Sequence, residues 1–195
     1  MTAAGRAVKR LLDVAVAGGL LLVGWPLLAA LALAVRLGSR GPAIFRQERA
    51  GLDMKPFTMY KLRTMRADAD PYAVSPTGAD DPRLTRLGRW LRETSLDELP
   101  QLWNVLRGDM SLVGPRPLYM SQAQAFSPRQ RRRLEVRPGI TGLAQVTGRG
   151  DLPHEEKLEL DVRYVEQASL GQDLRIVWRS FGRLFGRRGV YQGWD

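Results

Sequence analysis

The chain has 195 residues, 30 Lys and Arg against 20 Asp and Glu, a formal net charge of +10, one histidine and no cysteine. That length builds one domain with a real core rather than two. The absent cysteines exclude disulfides, thiolate nucleophiles and cysteine metal sites, the single His154 excludes a multi-histidine metal cluster and argues against a serine–histidine triad, and the positive surplus asks for an anionic partner: nucleic acid, anionic lipid or a phosphorylated substrate.

Val14 to Val35 contains no charged or hydroxyl side chain. As a helix it would be about 33 Å long, against a hydrocarbon core of about 30 Å. Pro26 stands near its middle with Gly24 beside it, and a proline there removes a hydrogen bond to the Leu22 carbonyl and bends or breaks the helix. Both flanks are basic, with Arg6, Lys9 and Arg10 before and Arg36, Arg40, Arg46 and Arg49 after. The positive-inside rule therefore wants both ends in the cytoplasm. A re-entrant segment that turns at Trp25-Pro26 satisfies this; a kinked spanning helix is the alternative.

Beyond a turn at Ser39–Pro42, residues 43–47 and 56–63 read as two strands joined through Gly51-Leu52-Asp53. Phe57, Met59, Lys61 and Arg63 share one face of the second strand, so its basic tip could meet a phosphate or simply face solvent. Asp68 to Pro82 is a surface loop. Arg83 to Arg92 has the spacing of a short basic amphipathic helix. Leu99 to Leu106 predicts a helix stopped by Gly108. Arg116 is held between two prolines at Gly114-Pro115-Arg116-Pro117, and Ser127 to Glu135 is helical and very basic. Arg137-Pro138-Gly139 turns into an apolar strand over 140–146 that closes at Gly148-Arg149-Gly150. His154, among Asp151, Glu155 and Glu156, opens a charged helix to Glu166 as a solvated residue, and 173–185 predicts a basic amphipathic helix suited to a headgroup layer. The expected fold is thus α+β in a single domain over 1–195: a membrane region at 1–40, then a small β-hairpin or sheet, interfacial helices and a membrane-surface catalytic part at 41–195.

The chemistry concentrates at Arg92-Glu93-Thr94-Ser95-Leu96-Asp97-Glu98-Leu99-Pro100. Ser95-x-x-Glu98 fits a capping box, and Pro100 requires a helix that starts at about Ser95 to Asp97. The same carboxylates can do chemistry. A carboxylate is a nucleophile toward phosphorus when cations neutralise the phosphates around it. Arg92 lies just upstream and Arg116 on the rigid turn, and a hard divalent cation would suit a carboxylate with phosphate oxygens.

The ordered blocks Lys9-Arg10-Leu11-Leu12-Asp13, Phe45-Arg46-Gln47, Tyr60-Lys61-Leu62-Arg63-Thr64-Met65, Thr94 to Gln101, Gly108 to Pro117, Arg137 to Gly142 and Asp161 to Tyr164 resemble the bacterial sugar transferase family, the monotopic polyprenol phosphate phosphoglycosyl transferases. The resemblance implies transfer of a sugar 1-phosphate from a UDP-sugar to polyprenol phosphate, with release of UMP and use of Mg2+, as the first membrane step of a glycoconjugate pathway. It implies that Asp97 is the nucleophile, forming a covalent phosphosugar and lying near the metal. Glu98 completes the acidic dyad, Arg92 and Arg116 bind phosphate, and Lys61 and Arg63 are further phosphate contacts. Pro26 matches the proline of a re-entrant helix, although the family often has Ser-Pro where this chain has Trp25-Pro26. The implied place is the cytoplasmic face of the bacterial inner membrane, and the implied form is the minimal catalytic one, in contact with membrane lipids. A nucleic-acid partner is not expected, because the aromatics form no stacking platform and no recognition motif is present.

Overall fold

A computed structural model of the chain describes residues 1–76, 78–148 and 152–184. Helix α1, Ala3–Gly38, is capped by Thr2, whose hydroxyl accepts from the Gly5 amide, and it is about 54 Å long. It runs through Pro26 in unbroken helical assignment, so the expected interruption is not one of secondary structure. The proline removes one hydrogen bond, and the turns on either side carry the helix across it.

Only Asp13, Ala17, Leu31 and Val35 of α1 are buried. They lie in two groups on the two arms of the helix. Ala17 packs with Phe57, Met59, Leu102, Val105 and Met110, while Leu31 and Val35 pack with Leu62 and Leu91. Between these arms Leu22, Val23 and Trp25 are 76, 81 and 62% exposed. An exposed apolar belt of this kind marks a surface for lipid or another protein, and the helix is long and apolar enough to cross a membrane.

Strands β1 (Ile44–Ala50) and β2 (Pro56–Leu62) form the expected antiparallel hairpin, in register from Ile44 opposite Leu62 to Ala50 opposite Pro56. Helix α2 (Arg86–Glu93) is capped by Thr85, whose hydroxyl accepts from the Gly88 amide. Helix α3 (Gln101–Arg107) follows Pro100 and stops at Gly108, whose φ of +88° suits glycine. The short strand β3 (Ser111–Val113) leads to helix α4 (Met120–Gln124) and then α5 (Pro128–Arg131), the latter with a Ser127–Gln130 capping box and a 3-10 turn after it.

The strand expected over 140–146 is corrected. Strand β4 covers only Gly139–Thr141, paired parallel with β3, and the chain then winds into helix α6 (Leu143–Thr147). A short apolar run fits either period; here Ala144 and Val146 are buried by a helical turn. Helix α7 (His154–Gln167) opens at His154, which is half-buried rather than solvated, and α8 (Leu170–Leu184) closes the described chain. Arg149, Gly150, Asp151 and the end of the last predicted helix at Phe185 lie outside the described residues.

Gly88 shows how tightly α2 is set against the exit of β2. A Cβ there would lie 1.9 Å from the Thr64 carbonyl oxygen, a backbone atom that cannot rotate away. Gly88→Ala should therefore destabilise by about 2 kcal/mol, although alanine is the better helix former. Gly171→Ala, whose Cβ would meet nothing within 4 Å, should be neutral or stabilising. Thermal unfolding of both variants beside the parent checks the contrast.

Candidate active site

Helix α2 ends at Glu93, and Ser95 turns the chain in the left-handed region at φ 57°. Leu96–Glu98 then form a 3-10 turn, and α3 begins only at Gln101. The capping box is absent: the Ser95 side chain makes no cap hydrogen bond, and the Glu98 carboxylate points elsewhere. Its competitors are two cations, which outbid a backbone amide for a carboxylate. Asp97 accordingly lies before α3 rather than in its first turn. A 3-10 turn separates successive side chains by about a third of a revolution, so neighbouring carboxylates face different surroundings.

Glu98 Oε1 accepts from Lys61 Nζ at 2.8 Å and from Arg116 Nη1 at 3.3 Å. Burial alone would raise its pKa, but the charges of Lys61 and Arg116 and these hydrogen bonds outweigh burial and hold it well below the usual carboxylate range. Burial draws the Lys61 ammonium down, against the pull of Glu98. Asp97 is 7% exposed, and no side-chain hydrogen bond reaches its carboxylate among the described residues. Burial pushes its pKa up to about 6, Lys61, Arg92 and Arg116 pull against that, and Glu98 adds to it. Asp97 is thus the basic, uncommitted member of the pair, and Glu98 the ionised anchor.

Arg92 leaves α2 beside this centre, its Nε donating to Thr64 Oγ1 at 2.9 Å. Arg116 is fixed from behind. The Gly114 amide donates to the Thr141 carbonyl and the Gly139 amide to the Pro115 carbonyl, both at 2.9 Å. Arg133 Nη2 donates to the Arg116 carbonyl at 2.6 Å and pairs with Asp161 at 2.5 Å, both side chains 1% exposed. The Val113 carbonyl accepts from Lys9 Nζ of α1 and from the Tyr164 hydroxyl. Arg133 and Lys9 were legible only as members of basic runs; an ion pair sealed in the interior has no local sequence signal.

Arg63 lines the same cleft as Asp97, but the end of α1 holds its guanidinium. Its guanidinium donates to the carbonyls of Val35, Ser39 and Arg40 and to the Ser39 hydroxyl, so it terminates α1. The end of a helix presents unpaired carbonyls and a negative partial charge, which this cation satisfies.

Asp97, Glu98, Lys61, Arg92 and Arg116 all line one cleft of about 1280 Å³ between α1, the hairpin, the Arg116 turn and α8. Among the described residues eight cationic side chains line it against three carboxylates. No cluster of three or more His, Asp or Glu side chains suited to a metal ion occurs among them. A cation at Asp97 would therefore complete its shell with ligand oxygens and water, as magnesium does at phosphate sites.

The sequence profile of the bacterial sugar transferase family matches residues 4–187. An uncharacterized sugar transferase of Bacillus subtilis, EpsL, is 44% identical over 95% of this chain and 91% of its own length. The UDP-glucose:undecaprenyl-phosphate glucose-1-phosphate transferase of Caulobacter vibrioides is 47% identical over 94% of this chain and 72% of its own. The Escherichia coli protein of the same name is 40% identical over 98% of this chain but 43% of its own.

The raised pKa of Asp97 has a sign that stability can read. A carboxyl that ionises harder in the folded state favours folding below its unfolded pKa of 3.8, and this contribution is lost as the pH rises through about 6. Asp97→Asn should therefore raise the melting temperature relative to the parent at pH 8 and little at pH 4, the gap growing as the pH rises from 3.8 to about 6 and levelling off above it. The limit set by the shift is about 3 kcal/mol. Melting curves of the two proteins across pH 4–8 check it, and a gap independent of pH would contradict the assignment.

Proposed function

The chain belongs to the bacterial sugar transferase family, and from that premise we propose that it transfers a sugar 1-phosphate from a UDP-sugar to a polyprenol phosphate, releasing UMP. The observation that carries the reading is the unlike pair: Asp97, buried, basic and with no side-chain hydrogen bond among the described residues, next to Glu98 held by Lys61 and Arg116. The names of the Caulobacter and Escherichia relatives supply the first donor and acceptor to test, UDP-glucose and undecaprenyl phosphate.

In the proposed first step an Asp97 oxygen attacks the β-phosphorus of the donor. The bond from that phosphorus to the bridging oxygen breaks, and UMP leaves with the electron pair. The sugar phosphate is then an acyl phosphate on Asp97. In the second step an oxygen of the lipid phosphate attacks the same phosphorus and Asp97 departs as a carboxylate, giving polyprenyl diphosphate sugar. Arg92, Arg116 and Lys61 neutralise the charge gathering on the phosphoryl oxygens, their positions fixed before substrate arrives. Glu98 keeps Lys61 and Arg116 in place. Mg2+, held by Asp97 with diphosphate oxygens and water, would supply further neutralisation there.

The proposed seat is the cytoplasmic face of the bacterial inner membrane, with α1 entering and leaving by one side. Support comes from the two arms of α1, both packed on the same body while the exposed apolar belt lies between them. It also comes from basic residues at both ends, which the positive-inside rule places together. A straight span would put its two ends on opposite sides.

Two measurements test this. Protein incubated with UDP-glucose and Mg2+, without lipid, should gain the mass of a hexose phosphate on the peptide containing Asp97. Asp97→Ala should abolish the adduct and lower UMP release about a thousandfold or more; turnover near the parent rate would remove Asp97 as nucleophile. Single cysteines introduced at positions 3 and 50 should label from the same side of the membrane, and labelling from opposite sides would sink the re-entrant topology.

A further inference from the structure

The cleft has a neutral end as well as a cationic one. Gln145, on α6, lines the same cleft as Asp97, and both its amide nitrogen and its amide oxygen are buried without a partner among the described residues. A buried amide left unpaired is costly, and such groups in a cleft mark ligand positions when they converge with other polar atoms. They converge here. Thr141 Oγ1 and Ser180 Oγ lie 2.7 Å apart, and both residues line the cleft.

We propose that Gln145, Thr141 and Ser180 form the subsite for the sugar ring of the donor and read its hydroxyl groups. The inference rests on the UDP-sugar reading given above.

The hydrogen bookkeeping selects the ligand class. Ser180 spends its one hydroxyl hydrogen on the Ile176 carbonyl, at 2.8 Å. The hydrogen between the two hydroxyls therefore belongs to Thr141. Both hydroxyls are then left with lone pairs only, and an oxyanion would be repelled by them. Gln145 adds two N–H donors and one carbonyl acceptor. A surface that both donates and accepts and carries no charge complements hydroxyl groups rather than a phosphate. Apolar Ile140, Val177 and Phe181 line the cleft beside it and would meet the C–H face of a pyranose.

Position agrees with this choice. The carbonyl of Thr141 accepts from the Gly114 amide, two residues before Arg116. A Cβ on Gly142 would lie 2.2 Å from the Gly114 oxygen and 2.7 Å from Gln145 Oε1, which sets the amide against the same turn. The neutral patch is thus adjacent to the segment that presents a phosphate-binding arginine. In a UDP-sugar the ring is attached directly to the β-phosphate, whereas uracil is separated from it by the ribose and the α-phosphate. The adjacency favours the ring over the base.

Calorimetric titration of the detergent-solubilised protein with UDP-glucose, with its C4 epimer UDP-galactose and with UDP separates the possibilities. Gln145→Ala should weaken the preferred UDP-sugar at least tenfold, leave UDP within twofold, and shrink the preference between the epimers. Thr141→Val, which replaces the hydroxyl with a methyl at equal volume, should do the same in smaller degree, and it decides the matter if the alanine variant fails to fold. UDP-sugar affinities within twofold of the parent in both variants would overturn the subsite. Equal losses for UDP and UDP-sugar would overturn it by placing the base there. If the parent bound UDP and no UDP-sugar, the donor reading itself would fall, and this inference with it.

Discussion

Glu98 is the fixed point of the site. Its carboxylate takes hydrogen bonds from Lys61 on β2 and from Arg116 on the proline-locked turn, so two elements distant in sequence meet on one side chain. Without it Lys61 and Arg116 would lose the carboxylate that bridges them and would repel each other in a largely buried space. Because Glu98 is committed, its neighbour need not be. Asp97 feels the charges of Lys61 and Arg116 without taking a hydrogen bond from either, and the left-handed Ser95 lets the chain enter the 3-10 turn directly from α2. A nucleophile needs a carboxylate with electron density to give and cations close enough to guide its target. The arrangement supplies both by assigning the hydrogen bonds to one acid and the field to the other.

The same economy ties the site to the membrane helix. Arg10 donates to the carbonyls of Val105 and Leu106 at the end of α3, and Arg63 to those at the end of α1. Each is a helix terminator as much as a charge. Asp13 accepts from the Leu112 amide, and Lys9 reaches Val113 and Asp173. The strand that delivers Arg116 is therefore bonded to the helix that meets the lipid. In the proposed reaction a lipid-borne phosphate and a nucleotide-borne phosphate would reach one carboxylate from different phases, and a body joined to α1 would fix the depth at which they do so.

How much of this was readable in the sequence depends on the range of the interaction. Local signals worked well: the hairpin, the stop at Gly108 and the long apolar run all follow from neighbours in the chain, while the helix expected from Arg83 begins only at Arg86, after Thr85. Asp97, Glu98, Arg92 and Arg116 were grouped from the chain itself, Lys61 came in with the second strand and the family blocks, and the structure brings all five to one cleft. The failures share a cause. Ser95-x-x-Glu98 was read as a cap because a capping box is a local pattern, but Lys61 and Arg116 win the glutamate from far away in sequence. Arg63 was read by strand alternation as a phosphate contact, yet a helix end more than twenty residues earlier claims it. Residues 140–146 could be strand or helix on hydrophobicity alone, and contact with Gly114 decided. Gln145 carried no signal at all, since only the three-dimensional accounting of hydrogen bonds reveals an amide without partners.

The positive charge of the chain also takes on a different meaning once placed. Arg129, Arg132 and Arg133 pair with Glu159, Glu166 and Asp161, so the most basic run in the sequence is largely balanced by α7. The surplus gathers instead around the cleft, with its eight cations against three carboxylates. A charge so placed acts on whatever enters the cleft, not on the surface as a whole. It attracts phosphates strongly and without regard to what they carry, since Coulomb attraction is blind to the rest of the ligand. Discrimination must then come from uncharged groups whose hydrogen bonds depend on geometry. A site with a cationic end for holding and a neutral end for choosing resolves that conflict: a partner supplied by the protein itself would satisfy Gln145 at the expense of any ligand it could recognise.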